Sequence, residues 1–111
     1  MSIPVPLAEL AGTVARFGSV PYLLTVGPDA TPHAASVTVE WSQGNLLVGA
    51  GRRTAANVRA NDALALLWPP LSPGDYTLIV DGTGSIREEG PHLVVVIKPT
   101  SAVLHVTARS P

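Results

Sequence analysis

Apolar residues recur along the sequence in two patterns, and the first of them is helical. Leu7, Leu10, Val14 and Phe17 follow the spacing of one helix face, and Gly18 comes directly after them. Glycine is common just beyond the end of a helix, because it adopts left-handed backbone angles without strain. The opening of the chain is therefore predicted to be a short helix that ends near this glycine.

The second pattern is that of strands, in which apolar and polar residues alternate or apolar residues run together between turns. The segment 32–41 is predicted to be one strand, with Ala35, Val37 and Val39 on the face opposite to Ser36 and Thr38. The segment 63–68 is almost entirely apolar and is expected to be buried on both faces. The apolar segments together indicate about six strands: 20–26, 32–41, 46–50, 63–70, 76–89, and the closing stretches 92–99 and 101–106.

Short turns separate the predicted strands, and a second helix is expected from about Thr54 to Asn61. Gly82 and Gly84 interrupt a long strand and indicate a bend or bulge of the kind found at barrel corners. The predicted architecture is mainly β: a six-stranded antiparallel split barrel with one N-terminal helix and one short mid-chain helix. The length of 111 residues fits a single domain, 1–111.

Composition points to a chain that buries part of its surface against another molecule. Hydrophobic residues make up 46% of the sequence and charged residues only 14%, well below the usual ~25%. A second copy of the same chain is the simplest partner, so a homodimer is expected. The net charge of -1 argues against a nucleic-acid partner. No segment has the length of a membrane span, and the first ten residues do not resemble a signal peptide, so a cytoplasmic protein without a membrane partner is expected.

Basic residues are concentrated in one short stretch, "GAGRRTAANVR". Arg52, Arg53 and Arg59 are three of only seven Lys and Arg residues in the chain. One interpretation is an anion site: glycines allow close approach, helix N–H groups point outward, and arginines add bidentate charge. The other is that these arginines are solvated surface charges and that Thr54 only caps the helix. Sequence alone leaves both open.

Other motifs in the sequence do not indicate a functional site. The stretch "GAGRRT" has Thr54 where a dinucleotide fingerprint needs a third glycine, and the surrounding hairpins do not match that fold. His33, His92 and His105 have no local partner at ligand spacing, so no metal site is predicted. With no cysteine, thiolate chemistry is excluded. No catalytic nucleophile is identified, as expected where a cofactor carries the chemistry.

Taken in order, several motifs resemble the flavin- and deazaflavin-binding split-barrel proteins related to pyridoxamine 5′-phosphate oxidase. They are "YLLTVGPDATPHAASVTVEW", "NLLVGAGRRTAANVRANDALALLW", "DYTLIVDGTGSI" and "IKPTSAVLHV". The resemblance covers roughly residues 20–106. It implies a homodimer that holds FMN or the deazaflavin F420 in a groove between its subunits, and it implies hydride transfer with a small organic substrate.

The resemblance also assigns residues. The basic turn that holds the cofactor phosphate matches Arg52, Arg53 and Thr54, and Asn57 matches a largely structural helix asparagine. The ring-binding part of the second strand matches three consecutive residues, Ser36, Val37 and Thr38. Trp68, at the end of an apolar strand beside a proline, is expected to border the groove. The alternatives to an oxidoreductase are a non-catalytic protein that binds or sequesters the cofactor, and a cofactor-free dimeric interaction module.

Overall fold

The computed structural model describes residues 1–107 and consists of one antiparallel sheet with two helices. A 3₁₀ turn at Leu7–Glu9 leads into the first helix. The helices are α1 (Leu10–Phe17) and α2 (Arg52–Ala60). The strands are β1 (Ser2–Pro4), β2 (Tyr22–Val26), β3 (Pro32–Ser36), β4 (Val39–Ser42), β5 (Asn45–Ala50), β6 (Ala63–Trp68), β7 (Thr77–Glu89) and β8 (His92–His105).

The strands form a sheet in the order β3-β2-β6-β7-β8-β5-β4, and β1 pairs with β8 off this path. Every pair is antiparallel. This mainly β, antiparallel arrangement with two helices is compatible with a split barrel. The predicted count of six strands is not confirmed: the sheet has eight strands and is not closed. Two features account for the difference, since Ser2–Pro4 adds a short strand and the segment predicted as one strand, 32–41, is divided.

That division falls at Val37 and Thr38, between β3 and β4. The N–H of Val37 donates to the carbonyl oxygen of Pro21 at 3.1 Å, and the N–H of Val39 donates to that of Ser19 at 2.8 Å. These bonds tie the link to the segment that enters β2, so the ladder of β3 stops and that of β4 begins. Because β3 and β4 stand at the two ends of the strand path, the link brings the two edges of the sheet together.

The core lies on the inner face of the curved sheet. Leu23 on β2, Leu66 on β6 and Val80 on β7 are fully buried neighbours in this layer. On β6, however, buried residues alternate with the less buried Ala65 and Leu67. The expectation that this strand is buried on both faces is therefore wrong for the chain by itself. Its outer face carries apolar side chains that nothing in the described chain covers completely.

A β-bulge bends the long strand β7, as the sequence predicts. The register of β7 against β8 shifts between Asp81 and Gly82. A Cβ atom at Gly82 would lie 2.7 Å from the carbonyl oxygen of Lys98, so only glycine allows the two strands to come this close. The glycine pattern in the sequence thus marks a real backbone contact.

Helix α1 packs against the sheet through Leu10 and Val14 and ends at Gly18, whose φ of 97° only glycine adopts readily. The carbonyl oxygen of Gly18 accepts a 2.8 Å hydrogen bond from the indole N–H of Trp68. This bond fixes the end of α1 to the end of β6. In the part of the chain that the structure describes, no helix is long and apolar enough to cross a membrane.

Candidate functional site

The basic turn forms the first turn of α2. Gly51 is the N-cap, with an extended backbone (φ −77°, ψ 175°), and no side chain caps the helix. The first backbone bond of the helix runs from the N–H of Ala55 to the carbonyl oxygen of Gly51 at 3.0 Å. The N–H groups of the three preceding residues, Arg52, Arg53 and Thr54, therefore precede the hydrogen-bonded part of the helix. With the two exposed arginines they form what we call the helix start.

The helix begins two residues earlier than predicted, and this changes the position of Thr54. Thr54 is not the cap; it lies in the first turn and is buried. Glycine serves as N-cap at little cost compared with serine or threonine, so the glycine at position 51 suffices. As a result Arg52 and Arg53 project from the helix itself rather than from a loop before it.

One turn further along α2, Asn57 faces inward. Its side chain is 4% exposed, and its Nδ2 donates a 3.1 Å hydrogen bond to Oγ1 of Thr25 on β2. The expectation that Asn57 is mainly structural agrees with this contact. The bond sets the position of α2 over the β2–β3 hairpin and thereby the position of Arg53.

Between α2 and the β2–β3 turn lies a cleft of about 270 Å³, which we call the helix cleft. Its lining residues are Gly27, Pro28, Asp29, Thr31, Arg53 and Asn57. The Asp29 carboxylate accepts a 3.1 Å hydrogen bond from the N–H of Thr31. Hydrogen bonding from Thr31 holds the pKa of Asp29 below its usual value of 3.8, and the nearby Arg53 guanidinium lowers it further by a smaller amount. The cleft thus contains both an ionised carboxylate and an arginine.

A second depression, the strand groove, has a volume of about 470 Å³ and is lined by residues of β4, β5, β7 and β8 and of the segments that precede β2 and β4. Its walls are formed by Ser19, Thr38, Val39, Glu40, Leu47, Val48, Gly49, Arg87, Glu89 and Val94. A Cβ atom at Gly49 would meet nothing within 4 Å, so the groove is open above this glycine. Thr38 and Gly49 both line this groove. Gly49 lies two residues before the N-cap Gly51.

The predicted ring-binding residues are only partly gathered there. Thr38 is exposed and lines the strand groove. Val37 is half-buried and packs against the core. Its backbone groups, and not its side chain, are therefore available to contact a ligand. Ser36 is exposed at the end of β3, opposite Tyr22 of β2.

Trp68 does not border a groove in this chain. Its side chain is 1% exposed and its indole N–H is already bonded to Gly18. The alternation along β6 explains this, because Leu64, Leu66 and Trp68 point to the same inner face. Trp68 is a core residue that connects β6 to α1.

The sequence did not indicate a third depression, the outer hollow, on the outer face of β2, β3, β6 and β7. It has a volume of about 470 Å³. The hollow is lined mainly by apolar residues: Leu24, Thr25, Val26, Pro32, His33, Ala34, Ala63, Leu64, Ala65 and Asp81. The alanines at positions 34, 63 and 65 are the signal in the sequence, because small side chains on adjacent strands leave a concave surface.

Comparisons with known proteins give the class of fold. No protein-family model matches the sequence. A pyridoxamine 5′-phosphate oxidase-like protein from Listeria innocua has a TM-score of 0.73 at 20% identity and covers 89% of this chain and 98% of its own. An F420 reductase has a TM-score of 0.63 at 23% identity, covering 76% and 88%. A FAD-binding protein from Mesorhizobium loti has a TM-score of 0.70 at 15% identity, covering 94% and 96%.

The chain therefore has the fold of the pyridoxamine 5′-phosphate oxidase-like split-barrel proteins, and the resemblance found in the sequence is confirmed at the level of the fold. The same fold includes the heme storage protein HutZ from Vibrio cholerae, with a TM-score of 0.68 at 12% identity and coverage of 92% and 95%. Fold likeness thus extends to proteins with different ligands.

Curated relatives are similar over part of their length. An uncharacterized protein from Mycobacterium bovis is 38% identical over 58 residues, which are 50% of this chain and 41% of that protein. An acetylglutamate kinase from Rubrobacter xylanophilus is 31% identical over 115 residues, covering 97% of this chain and 45% of the kinase. The chain thus spans less than half the length of the curated relatives that it matches.

Proposed function

We propose that this chain is an oxidoreductase that binds FMN or F420 and transfers hydride between the bound cofactor and a small organic substrate. The observation that carries the proposal is the helix start. Two exposed arginines and the N–H groups of the first turn of α2 share one end of one helix. This is an arrangement suited to a phosphate, because the backbone donors, the helix dipole and the guanidinium groups all favour a negative charge.

The strand groove supports the proposal because it offers room for a ring system, and one of its lining residues, Gly49, precedes the N-cap Gly51 by two residues. Thr38 supplies a hydroxyl at its wall, and Gly49 leaves its floor open. The backbone around Val37 lies next to this groove along the chain. In the proposed complex these groups orient the ring, and the bound cofactor supplies the hydride chemistry.

A homodimer forms part of the proposal. The outer faces of β2, β6 and β7 carry Tyr22, Leu67 and Ile79, which are cross-strand neighbours and remain partly or largely exposed. A second copy that covers this face would bury apolar area at roughly 25 cal/mol per Å². Covering the same face on both copies is the usual symmetric solution.

Visible absorbance of the purified protein tests the proposal directly. A flavin absorbs in the blue, F420 absorbs closer to the violet, and a protein purified without cofactor should acquire one of these spectra on reconstitution. Hydride transfer is then tested by following the reoxidation of the reduced, bound cofactor in the presence of candidate acceptors. If neither FMN nor F420 binds at micromolar concentration, the proposal is wrong. If one of them binds but no acceptor reoxidises it, the chain is a non-catalytic carrier of the cofactor.

Heme binding is the second candidate function, and the outer hollow is the observation that favours it. The hollow is concave and mostly apolar, and its lining includes His33 on the edge strand β3. Strand alternation places the imidazole of His33 on the same face as its cross-strand partner Thr25, so the ring has to turn around the edge of β3 to reach a heme in the hollow. Histidine is a common ligand of heme iron, and HutZ, which shares the fold, is described as a heme storage protein. Titration with hemin should then give a Soret shift that His33→Ala removes and His92→Ala leaves in place. Equal spectra for both variants would exclude His33 as a ligand.

A further inference from the structure

The carboxylate of Asp81 stands in the apolar outer face of the sheet. Burial alternates along β7, so Ile79 and Asp81 point outward while Val80 is fully buried on the inner face. Asp81 pairs with Ala65 of β6, and Ala65 pairs with Leu24 of β2. An exposed carboxylate therefore lies at the end of a row of apolar side chains that crosses this face.

Two hydroxyl groups of β8 fix the position of Asp81. Oγ of Ser101 donates a 3.3 Å hydrogen bond to Oδ2 of the carboxylate. Oγ1 of Thr100 donates a 3.1 Å hydrogen bond to the backbone carbonyl oxygen of Asp81. Both donors stand beside the register shift between β7 and β8, so the bulge itself keeps the carboxylate on the outer face.

No basic side chain neutralises this carboxylate within residues 1–107, since no ion pair includes Asp81 there. The nearer titratable side chains on the strands of this face and on β8 are Tyr22, His33, Lys98 and His105. Those of residues 87–92 lie at the far end of the β7–β8 hairpin. Lys98 comes closest in register, because it pairs with Thr83, two residues along β7 from Asp81. Solvent therefore supplies most of what stabilises the charge of Asp81.

The face proposed for the homodimer includes Asp81. Leu67 pairs with Ile79, and Ile79 precedes Asp81 by two residues on β7. Residues two apart in a strand are separated by roughly 7 Å, so a second copy that covers Leu67 and Ile79 also covers the carboxylate. Removing an ionised carboxylate from water is costly unless it is paired, and the protonated acid is much less costly to cover. Association should therefore favour the protonated form of Asp81.

We propose that Asp81 makes the association of two copies of this chain proton-dependent: the dimer is tightest when Asp81 is protonated and weakens as the pH rises and the carboxylate ionises. This inference rests on the homodimer of the proposed function. An exposed aspartate ionises near pH ~4, and covering it in the dimer allows the proton to be kept to a higher pH. Because a symmetric dimer contains two copies of Asp81, association takes up as many as two protons.

Sedimentation velocity over a range of protein concentrations, from about pH 5 to about pH 8, tests the inference through the dissociation constant of the dimer. Wild type is compared with Asp81→Asn, in which the amide oxygen still accepts the hydrogen bond from Ser101 but the side chain cannot ionise. Asp75→Asn is the matched control, because it removes an exposed carboxylate from the loop between β6 and β7. It changes the net charge of the chain by the same amount.

The dissociation constant of wild type and of Asp75→Asn should rise by about tenfold or more between the two ends of this pH range. That of Asp81→Asn should change by less than about twofold, because no carboxylate is left to ionise in the covered face. At the high end of the range, Asp81→Asn should therefore associate more tightly than wild type.

The outcomes separate this inference from the homodimer. A wild-type dimer whose dissociation constant does not change with pH shows that the inference is wrong while the homodimer stands. The same pH dependence in Asp81→Asn also overturns it, since the effect then belongs to other groups such as His33 or His105. Weaker association of Asp81→Asn than of wild type at high pH would mean that the carboxylate pairs with a basic group of the second copy, and this too overturns it. A wild type that is monomeric throughout the range overturns both.

Discussion

Asn57 on α2 and Thr25 on β2, 32 residues apart, share a buried hydrogen bond of 3.1 Å. Thr25→Val keeps the shape of the side chain but removes the acceptor, so the amide donor of Asn57 is left buried without a partner. We expect the free energy of unfolding to fall by about 1–3 kcal/mol, measured by urea denaturation. Thr100→Val is the matched control, because Oγ1 of Thr100 makes an exposed bond, to the carbonyl oxygen of Asp81. An equally small loss in both variants would mean that the bond does not stabilise the position of α2.

Arg52 and Arg53 should affect binding of the cofactor much more than they affect folding. Losing one charge-assisted hydrogen bond of roughly 1.5–3 kcal/mol weakens binding by about ten- to a hundred-fold. In fluorescence titrations of Arg52→Ala and Arg53→Ala, the loss should be larger for FMN than for riboflavin, which has no phosphate. Arg59→Ala, in the last turn of the same helix, should bind both ligands like wild type. Equal binding by all three variants would identify the arginines as surface charges.

Thr38 should affect the ring rather than the phosphate. A leucine at this position narrows the strand groove that Thr38 lines. Thr38→Leu should weaken FMN and riboflavin by the same factor, because both carry the same ring. Stability should change by less than about 0.5 kcal/mol, since the residue is exposed. A loss confined to FMN, or no loss for either ligand, would place the ring elsewhere.

The bulge in β7 should tolerate no side chain at Gly82. Its Cβ would lie 2.7 Å from a backbone oxygen of β8, which cannot move like a flexible side chain. Gly82→Ala is expected to lower the free energy of unfolding by roughly 1–3 kcal/mol. Gly12→Ala is the control and should have the opposite effect on stability. Gly12 lies within the sequence of α1 on its exposed side, and a Cβ atom there would meet open space. It should stabilise the protein by about 0.5–1 kcal/mol, and thermal unfolding of the two variants shows whether their melting temperatures move in opposite directions.

The outer face of the sheet should determine the oligomeric state. Tyr22 is 44% exposed there, and Tyr22→Glu would place a charge in the interface proposed for the homodimer. Sedimentation velocity at micromolar concentration should give twice the chain mass for wild type and a monomer for this variant. Leu71→Glu, which changes an apolar residue that is 61% exposed in a loop, should remain dimeric. A monomeric wild type would remove both the interface and the shared groove.

The sequence predicts those features of the fold that depend on the conformational preferences of neighbouring residues. Gly18 ends α1 and the bulge occurs at Gly82, as predicted. Burial alternates along 32–39 as predicted, although the segment forms two strands and not one. The predicted start of α2 lies two residues too late, because Thr54 is a stronger cap than Gly51 by local preference alone. Preference for a cap is worth only about 1 kcal/mol, and the burial of Thr54 outweighs it.

Long-range contacts explain what the sequence did not reveal. Trp68 belongs to the core because its N–H reaches the carbonyl oxygen of Gly18, 50 residues away in sequence. The sequence places Asp29 in a turn, and only the packing of α2 brings Arg53 and Asn57 to the same cleft. The outer hollow likewise exists only where β2, β3 and β6 lie side by side. The candidate site residues of this chain are thus brought together by tertiary packing and not by their proximity in the sequence.

The two-residue link between β3 and β4 has a further consequence. Consecutive Cα atoms are about 3.8 Å apart, so Ser36 and Val39 lie within about 11 Å of each other whatever happens elsewhere in the sheet. Covalent chain length, and not side-chain packing, sets this gap between the two edges of the sheet. Because Thr38 belongs to this link and lines the strand groove, we expect an insertion or deletion at the link to change the width of the groove while the core keeps its residues. The width of the groove and the stability of the core would then depend on separate segments of the chain.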